Sequence, residues 1–125
     1  MTYPTNLRYT REHEWIRRDG DAALVGITDH AQHELGDIVF VEFPKPGAAL
    51  KQGEAFGTVE SVKAVSEIFA PVDGTVLEVN ESLNGSPELL NRDPHGTAWL
   101  IKVRLADPAQ LDELLDAAAY EALIG

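Results

Sequence analysis

The side chain best placed to do chemistry is a lone lysine, Lys63, in the stretch ESVKAVSEIFAPVDG at residues 60–74. Its neighbours Val62 and Val65 are β-branched residues that favour strands. We expect these two valines to be anchored in the core, so that the lysine amine projects from a rigid hairpin tip. Such an amine is either a solvated turn residue or an attachment point for a covalently bound group.

The remaining candidates are histidines, because the sequence contains no cysteine. His30 and His33 are three residues apart with Glu34 adjacent, which on a helix would align the two rings. No strong metal signature such as H-E-x-x-H is present, so we interpret both as solvated side chains and predict no metal site. GxSxG and Walker-type motifs are also absent. Without cysteine, any thiol chemistry has to come from an added group.

Length and charge limit the classes of function. The 125 residues predict a single domain, 1–125, with a modest core. The net charge of −11 disfavours nucleic-acid binding, and no apolar run is long enough to span a membrane. The first residues lack a secretory or transit pattern. We therefore expect a monomer in a bacterial-type cytoplasm.

Short strands separated by Gly- and Pro-rich turns predict a mainly β fold, a sandwich/barrel hybrid of short antiparallel strands. A short helix is expected around residues 28–35, capped by Thr28 or Asp29 and ended by Gly36.

A C-terminal helix is expected over about 108–123, beginning at Asp107 and Pro108, with Gln110 completing a capping box. An apolar stripe on this helix is expected to pack on the sheet. It consists of Leu111, Leu114, Leu115, Ala118 and Ala122.

The lysine stretch resembles the attachment hairpin of lipoyl-carrying proteins, specifically the H-protein family of the glycine cleavage system. Four further segments are similar to that family and occur in its order: YTREHEW, GITDHAQHELGDIVFVEFP, DPHGTAWLIKV and LLDAAAYEAL. The resemblance covers nearly the whole chain and implies a lipoyl-domain-like fold with an attachment hairpin over about 54–80.

The resemblance implies a role for particular residues. Lys63 would be joined through an amide to lipoic acid, which supplies the sulfur atoms that the chain lacks. Glu60 and Gly74 would serve recognition or the hairpin, since the family places glycine where a partner strand approaches closely. Groups near His13 and Glu14 would contact the folded-back arm.

The implied function is a non-catalytic carrier. It would take the aminomethyl group of glycine from a pyridoxal-phosphate decarboxylase to a tetrahydrofolate-dependent aminomethyltransferase. It would pass reducing equivalents to dihydrolipoamide dehydrogenase, which uses FAD and NAD. A lipoylating enzyme is a further implied partner, and Glu60 and Glu67 are expected to help it recognise the hairpin.

Several alternatives remain open from the residues alone. A biotin carrier usually brackets its lysine with methionines, whereas the only methionine here is Met1. Lipoyl domains of 2-oxoacid dehydrogenases typically have Asp before the lysine and lack this chain's additional segments. The remaining alternatives are a catalytic enzyme, an unmodified interaction module and a protein that donates lipoyl groups to other complexes.

Overall fold

The computed structural model describes residues 3–125, which form two antiparallel β-sheets and several short helices. Met1 and Thr2, on which the expected location partly depends, lie outside the described residues. The strands are Arg8–Tyr9 (β1), Glu14–Asp19 (β2), Ala22–Ile27 (β3), Ile38–Glu42 (β4), Ala49–Leu50 (β5), Ala55–Ser61 (β6), Val65–Phe69 (β7), Gly74–Val79 (β8) and Ile101–Leu105 (β9). The helices are Asp29–Leu35 (α1), Ser82–Gly85 (α2), Leu89–Arg92 (α3), the 3₁₀ helix Pro108–Glu113 and Ala117–Ile124 (α4).

The larger sheet has the order β1-β2-β3-β9-β8-β5, and the smaller one has the order β4-β6-β7. This arrangement confirms the expected mainly β architecture. Within residues 3–125, no helix is long and apolar enough to cross a bilayer.

The main core lies between the two sheets and contains side chains from both. In β9, Ile101, Val103 and Leu105 are buried and alternate with the more exposed Lys102 and Arg104, as expected for a strand with one face in the core. Burying such an aliphatic side chain stabilises the fold by about 1.5–3 kcal/mol. The smaller sheet contributes Ile38, Val41, Val59 and Ile68. These contacts fix the position of the β6–β7 hairpin.

A second apolar cluster joins the N-terminal strands to α4. Tyr9 and Tyr120 stack with ring centroids 4.7 Å apart, and both are fully buried. The Trp15 indole Nε1 donates a hydrogen bond of 2.8 Å to the Pro94 carbonyl. A Cβ at Gly26 would lie 2.6 Å from that indole, so only glycine permits this packing. The cluster places α4 beside the loop before β2.

Helix α1 begins and ends as the sequence predicts. The Thr28 hydroxyl accepts a hydrogen bond of 3.2 Å from Ala31 N, which identifies Thr28 rather than Asp29 as the N-cap. Gly36 follows the last turn with a φ of +81°, a conformation that favours glycine.

The predicted continuous helix over 108–123 is wrong. The chain instead forms the 3₁₀ helix, leaves helical geometry at Leu114, and restarts as α4. Leu115 pairs with Tyr9 through two backbone hydrogen bonds of 2.8 and 2.9 Å. Asp116 then caps the new helix by accepting from Ala119 N. The β-bridge between Leu115 and Tyr9 and the new N-cap at Asp116 therefore outweigh the continuous helical pattern of the sequence.

The break also changes the buried face. Ala117 and Tyr120 are buried in α4, whereas Ala118 and Ala122 of the predicted stripe are exposed. Asp107 caps the 3₁₀ helix as expected, through Ala109 N. The Gln110 side chain does not complete a capping box, because it exchanges hydrogen bonds with Asp73 across the molecule.

Candidate functional site

Lys63 lies at the tip of a hairpin formed by β6 and β7 alone. The two strands pair from Ala55↔Phe69 to Glu60↔Val65. The expected span of 54–80 is too long, because β8 pairs with β9 and β5 in the other sheet. The lysine hairpin is thus a compact projection of the smaller sheet.

The tip is held by Ser61, which is buried. Ser61 N donates to the Ala64 carbonyl at 2.8 Å, and Ser61 Oγ accepts from Lys63 N at 3.3 Å and Ala64 N at 3.1 Å. The neighbouring Val62 N donates to the Asp37 carbonyl at 3.0 Å. The lysine backbone is therefore positioned by hydrogen bonds on both sides. Serine is frequent in turns because its hydroxyl can hydrogen-bond to nearby backbone groups. A serine just before the lysine was therefore the sequence signal for the role of Ser61 in the turn.

The Lys63 side chain is exposed and extends past the end of α1. A Cβ built on Gly36 would lie 3.7 Å from Lys63 Cε. Glu60 and Glu67, expected on either side, are both exposed. Across residues 3–125, no carboxylate oxygen lies within 4.0 Å of the lysine amine. The amine is consequently accessible to a modifying enzyme.

The valines beside Lys63 are not anchored in the core, which corrects the expectation. Val62 is 69% exposed and Val65 is 64% exposed. Val65 pairs with Glu60 on the solvent side of the hairpin, and Val62 lies in the turn beyond the last strand pair. Val39 and Phe40 on β4 are also exposed, at 47% and 53%. Phe40 and Val65 both pair with Glu60, and Val62 N is hydrogen-bonded to Asp37, so these four apolar residues lie at the lysine end of the smaller sheet. We call them the tip surface.

Gly74 is the first residue of β8 and lies in the larger sheet, away from the lysine turn. A Cβ at this position would overlap the Arg104 carbonyl oxygen of β9. The close neighbour is therefore β9 and not a strand of the lysine hairpin. Gly74 supports the sheet beneath the hairpin, and its geometry alone does not give it a recognition role.

Replacing Gly74 with alanine should lower the free energy of unfolding by about 2 kcal/mol, because a backbone atom of β9 has to move. Urea unfolding measures this change. Gly85→Ala is the control, since nothing lies within 4 Å of a Cβ there. Equal stabilities of the two variants would contradict the close approach.

His30 and His33 were both expected to be solvated; His33 is exposed, whereas His30 is partly buried. His30 Nε2 lies 2.7 Å from Glu34 Oε1, and the His13 and His30 rings have centroids 4.7 Å apart. His33 is exposed and lines the same pocket as His30, but it is not part of the cluster formed by His13, His30 and Glu34. His95 Nε2 accepts a hydrogen bond from Asp29 N, and burial lowers the pKa of His95. The sequence carried no signal that His13 and His30 meet, because the contact joins separate elements.

Glu14 is the first residue of β2, and the whole residue is only 2% exposed to solvent. It accepts hydrogen bonds from Thr10 Oγ1 at 2.6 Å and Phe69 N at 3.3 Å. Burial raises the pKa of Glu14 to about 7, although both hydrogen bonds favour the ionised form. Beside it lies a cavity of about 310 Å³, whose lining includes Gln52, Phe69, Pro71 and Leu115.

The two sheets and the projecting lysine hairpin define a lipoyl-domain-like protein. The family model for the glycine cleavage H-protein matches residues 7–125. The chain is 60% identical to the glycine cleavage system H protein of Acidobacterium capsulatum over 99% of this chain and 95% of that one. It is 61% identical to the H protein of Chlorobium limicola over 100% and 99% of the two chains.

Solved structures agree with the sequence relatives. The crystal structure of a glycine cleavage system H protein from Mycobacterium marinum superimposes with a TM-score of 0.91 at 39% identity, covering 98% of this chain and 99% of that one. The chain belongs to the glycine cleavage H-protein family, whose members are lipoyl-bearing carriers of the glycine cleavage system.

Proposed function

We propose that this chain carries lipoic acid in amide linkage on Lys63 and shuttles the aminomethyl group of glycine between enzymes in the cytoplasm. The observation that carries the proposal is the accessible Lys63 amine, held at a hydrogen-bonded turn in a chain of this family. The chain is a non-catalytic subunit, because its part is to present the group and the partners perform the reactions.

The lipoyl group supplies, when attached, a disulfide that accepts the aminomethyl group and is later regenerated from the dithiol. The partners we propose are the pyridoxal-phosphate glycine decarboxylase, the tetrahydrofolate-dependent aminomethyltransferase and the FAD- and NAD-dependent dihydrolipoamide dehydrogenase. The rigid tip fixes one end of the arm. Tethering then replaces free diffusion with a high effective concentration at each partner site.

The tip surface supports docking of these partners beside the lysine. Val39, Phe40, Val62 and Val65 are four of the five large apolar side chains that are exposed in residues 3–125. Clustered exposed apolar side chains, unlike single scattered ones, are typical of interaction sites. We propose that each partner enzyme covers the tip surface while the arm enters its active site.

The cavity beside Glu14 supports a resting place for the loaded arm. Strand β7 leads from the lysine turn to Phe69, whose N–H is hydrogen-bonded to Glu14. The Glu14 carboxyl would attract the amine of an aminomethyl group. Tyr9, Ala70 and Pro71 give the cavity a buried wall, whereas Arg11, Glu12 and Gln52 of its lining are exposed. His13 lies next to Glu14 in the chain, but its ring is hydrogen-bonded to the Tyr120 hydroxyl. We therefore assign contact with the loaded arm to Glu14 alone.

Intact mass spectrometry of the protein from its native host, grown with lipoate available, tests the attachment. We expect one lipoyl increment per chain, which peptide mapping places on Lys63. A bare Lys63 in preparations that support glycine cleavage would overturn the proposal. A mass increment of one biotinyl group would show instead that the chain is a biotin carrier.

Glu60→Ala should reduce lipoylation of Lys63 at least tenfold without changing the melting temperature. Glu60 is exposed and makes no ion pair within residues 3–125, so its loss removes no stabilising contact. Mass spectrometry after a timed reaction with the lipoylating enzyme measures the modified fraction. Glu81→Ala, an exposed change outside the hairpin, is the control. Unchanged lipoylation would show that Glu60 is not part of the recognised surface.

A further inference from the structure

We propose that His13, His30 and Glu34 bind one divalent transition-metal cation, with zinc as the best match. The three side chains come from the loop before β2 and from one face of α1. Each offers one ligand atom, and these atoms all lie within 4.8 Å of one another. Two imidazole nitrogens and one carboxylate oxygen form a ligand set that zinc uses with a water molecule at the fourth position.

The spacing is close to that of a bound site. A tetrahedral zinc ion with ligand bonds near 2.0–2.1 Å places its ligand atoms about 3.3 Å apart. His30 Nε2 and Glu34 Oε1 are already 2.7 Å apart, so they need to open slightly. The widest separation between two ligand atoms is at most 4.8 Å, so it needs to shrink by up to about 1.5 Å. The Glu34 side chain is 64% exposed and is free to change rotamer, which supplies part of this movement.

His13 is oriented by buried hydroxyl groups behind it. Its Nδ1 lies 2.8 Å from the Tyr120 hydroxyl, which in turn lies 2.7 Å from Thr28 Oγ1. With Nδ1–H donating to the phenol oxygen, Nε2 is the ring nitrogen of His13 that is left to bind the metal. A hydrogen-bond acceptor on the second ring nitrogen is typical of metal-bound histidine.

The backbone at His13 is also specialised. With a φ of +71°, His13 is the one non-glycine residue of the described part of the chain in the left-handed region. Its N–H donates to Thr10 O, and its carbonyl accepts from Thr28 N, so the loop is tied to the start of α1. Sparsely populated backbone conformations occur preferentially at functional sites. The His13 ring centroid lies 4.7 Å from that of His30.

Electrostatics favour a cation at this position. The Glu34 carboxylate supplies a negative charge beside two imidazoles. The net charge of −11 raises the local concentration of cations further.

Isothermal titration calorimetry of the EDTA-treated full-length protein with zinc chloride tests the proposal. We expect one zinc per chain, and a tetrahedral absorption spectrum when cobalt(II) replaces zinc. His13→Asn, His30→Ala and Glu34→Gln should each weaken zinc binding at least tenfold. Asparagine is chosen at position 13 because it tolerates a positive φ. Tyr120→Phe should weaken binding about 10–100-fold, because it removes the hydroxyl that orients His13.

His33→Ala is the matched control, because His33 is an exposed histidine of the same helix outside the cluster. It should bind zinc as the unaltered protein does, and so should Lys63→Arg, which separates this site from the proposed carrier function. Circular dichroism establishes that each variant is folded. Failure of the unaltered protein to bind zinc would overturn the proposal and leave a hydrogen-bonded surface cluster. So would His13 and His30 variants that bind zinc as tightly as the unaltered protein does.

Discussion

Lys63→Arg is expected to abolish glycine cleavage in a reconstituted system while the protein folds normally. Arginine retains the positive charge on an exposed side chain but cannot form the amide that lipoic acid makes with lysine. Since the side chain makes no ion pair within residues 3–125, the free energy of unfolding should change by less than about 0.5 kcal/mol. Release of carbon dioxide from labelled glycine, with all partner enzymes present, measures the loss.

Lys51→Arg is the control for this experiment. Lys51 is also exposed, but it precedes β6 and lies away from the tip. It should retain full activity and full lipoylation. If Lys63→Arg supports more glycine cleavage than the same enzymes without any carrier protein, the lipoyl group is attached to another residue.

The second large effect concerns the pH dependence of stability. An ordinary glutamate loses its proton near pH 4.5, whereas Glu14 in the folded protein holds it to about pH 7. Between these values the folded state binds more protons than the unfolded state, so stability falls as the pH rises. The difference corresponds to about 3 kcal/mol, present in full below pH 4.5 and lost above pH 7.

Glu14→Gln removes this titration, since an amide does not ionise. We expect the unaltered protein to lose about 3 kcal/mol relative to Glu14→Gln between pH 4.5 and pH 8. Urea unfolding across this range, with EDTA to keep His13 free of metal, measures the difference. Glu12→Gln, at an exposed neighbour, should follow the unaltered protein. Parallel profiles for the Glu14 variant and the unaltered protein would contradict the raised pKa.

Local chemistry made several features readable from the sequence. Thr28 and Gly36 bound α1 because a cap and a left-handed stop act within a few residues. In the structure, Gly20 also takes a left-handed conformation, with a φ of +66°, in the turn between β2 and β3. Alternation in β9 predicts which side chains enter the core, because successive residues of a strand point to opposite faces.

The errors arose where distant segments meet. Val62 and Val65 have the composition of core residues, yet the turn carries them beyond the reach of the other sheet. The C-terminal pattern suits one helix, but Tyr9, more than a hundred residues earlier, pairs with Leu115 and interrupts it. The contact between His13 and His30 depends on α4, which supplies Tyr120 behind the imidazole.

By itself the sequence determined the mainly β class, the approximate bounds of the first helix, the lack of any thiol in the chain and the one lysine that stands in an attachment-like stretch. These follow from short-range backbone preferences and from residue chemistry. Only the tertiary structure decided that the tip is apolar, that Glu14 is buried beside a cavity, and that two histidines and a carboxylate converge. Burial and convergence depend on contacts between residues far apart in the chain, and local pattern does not encode them.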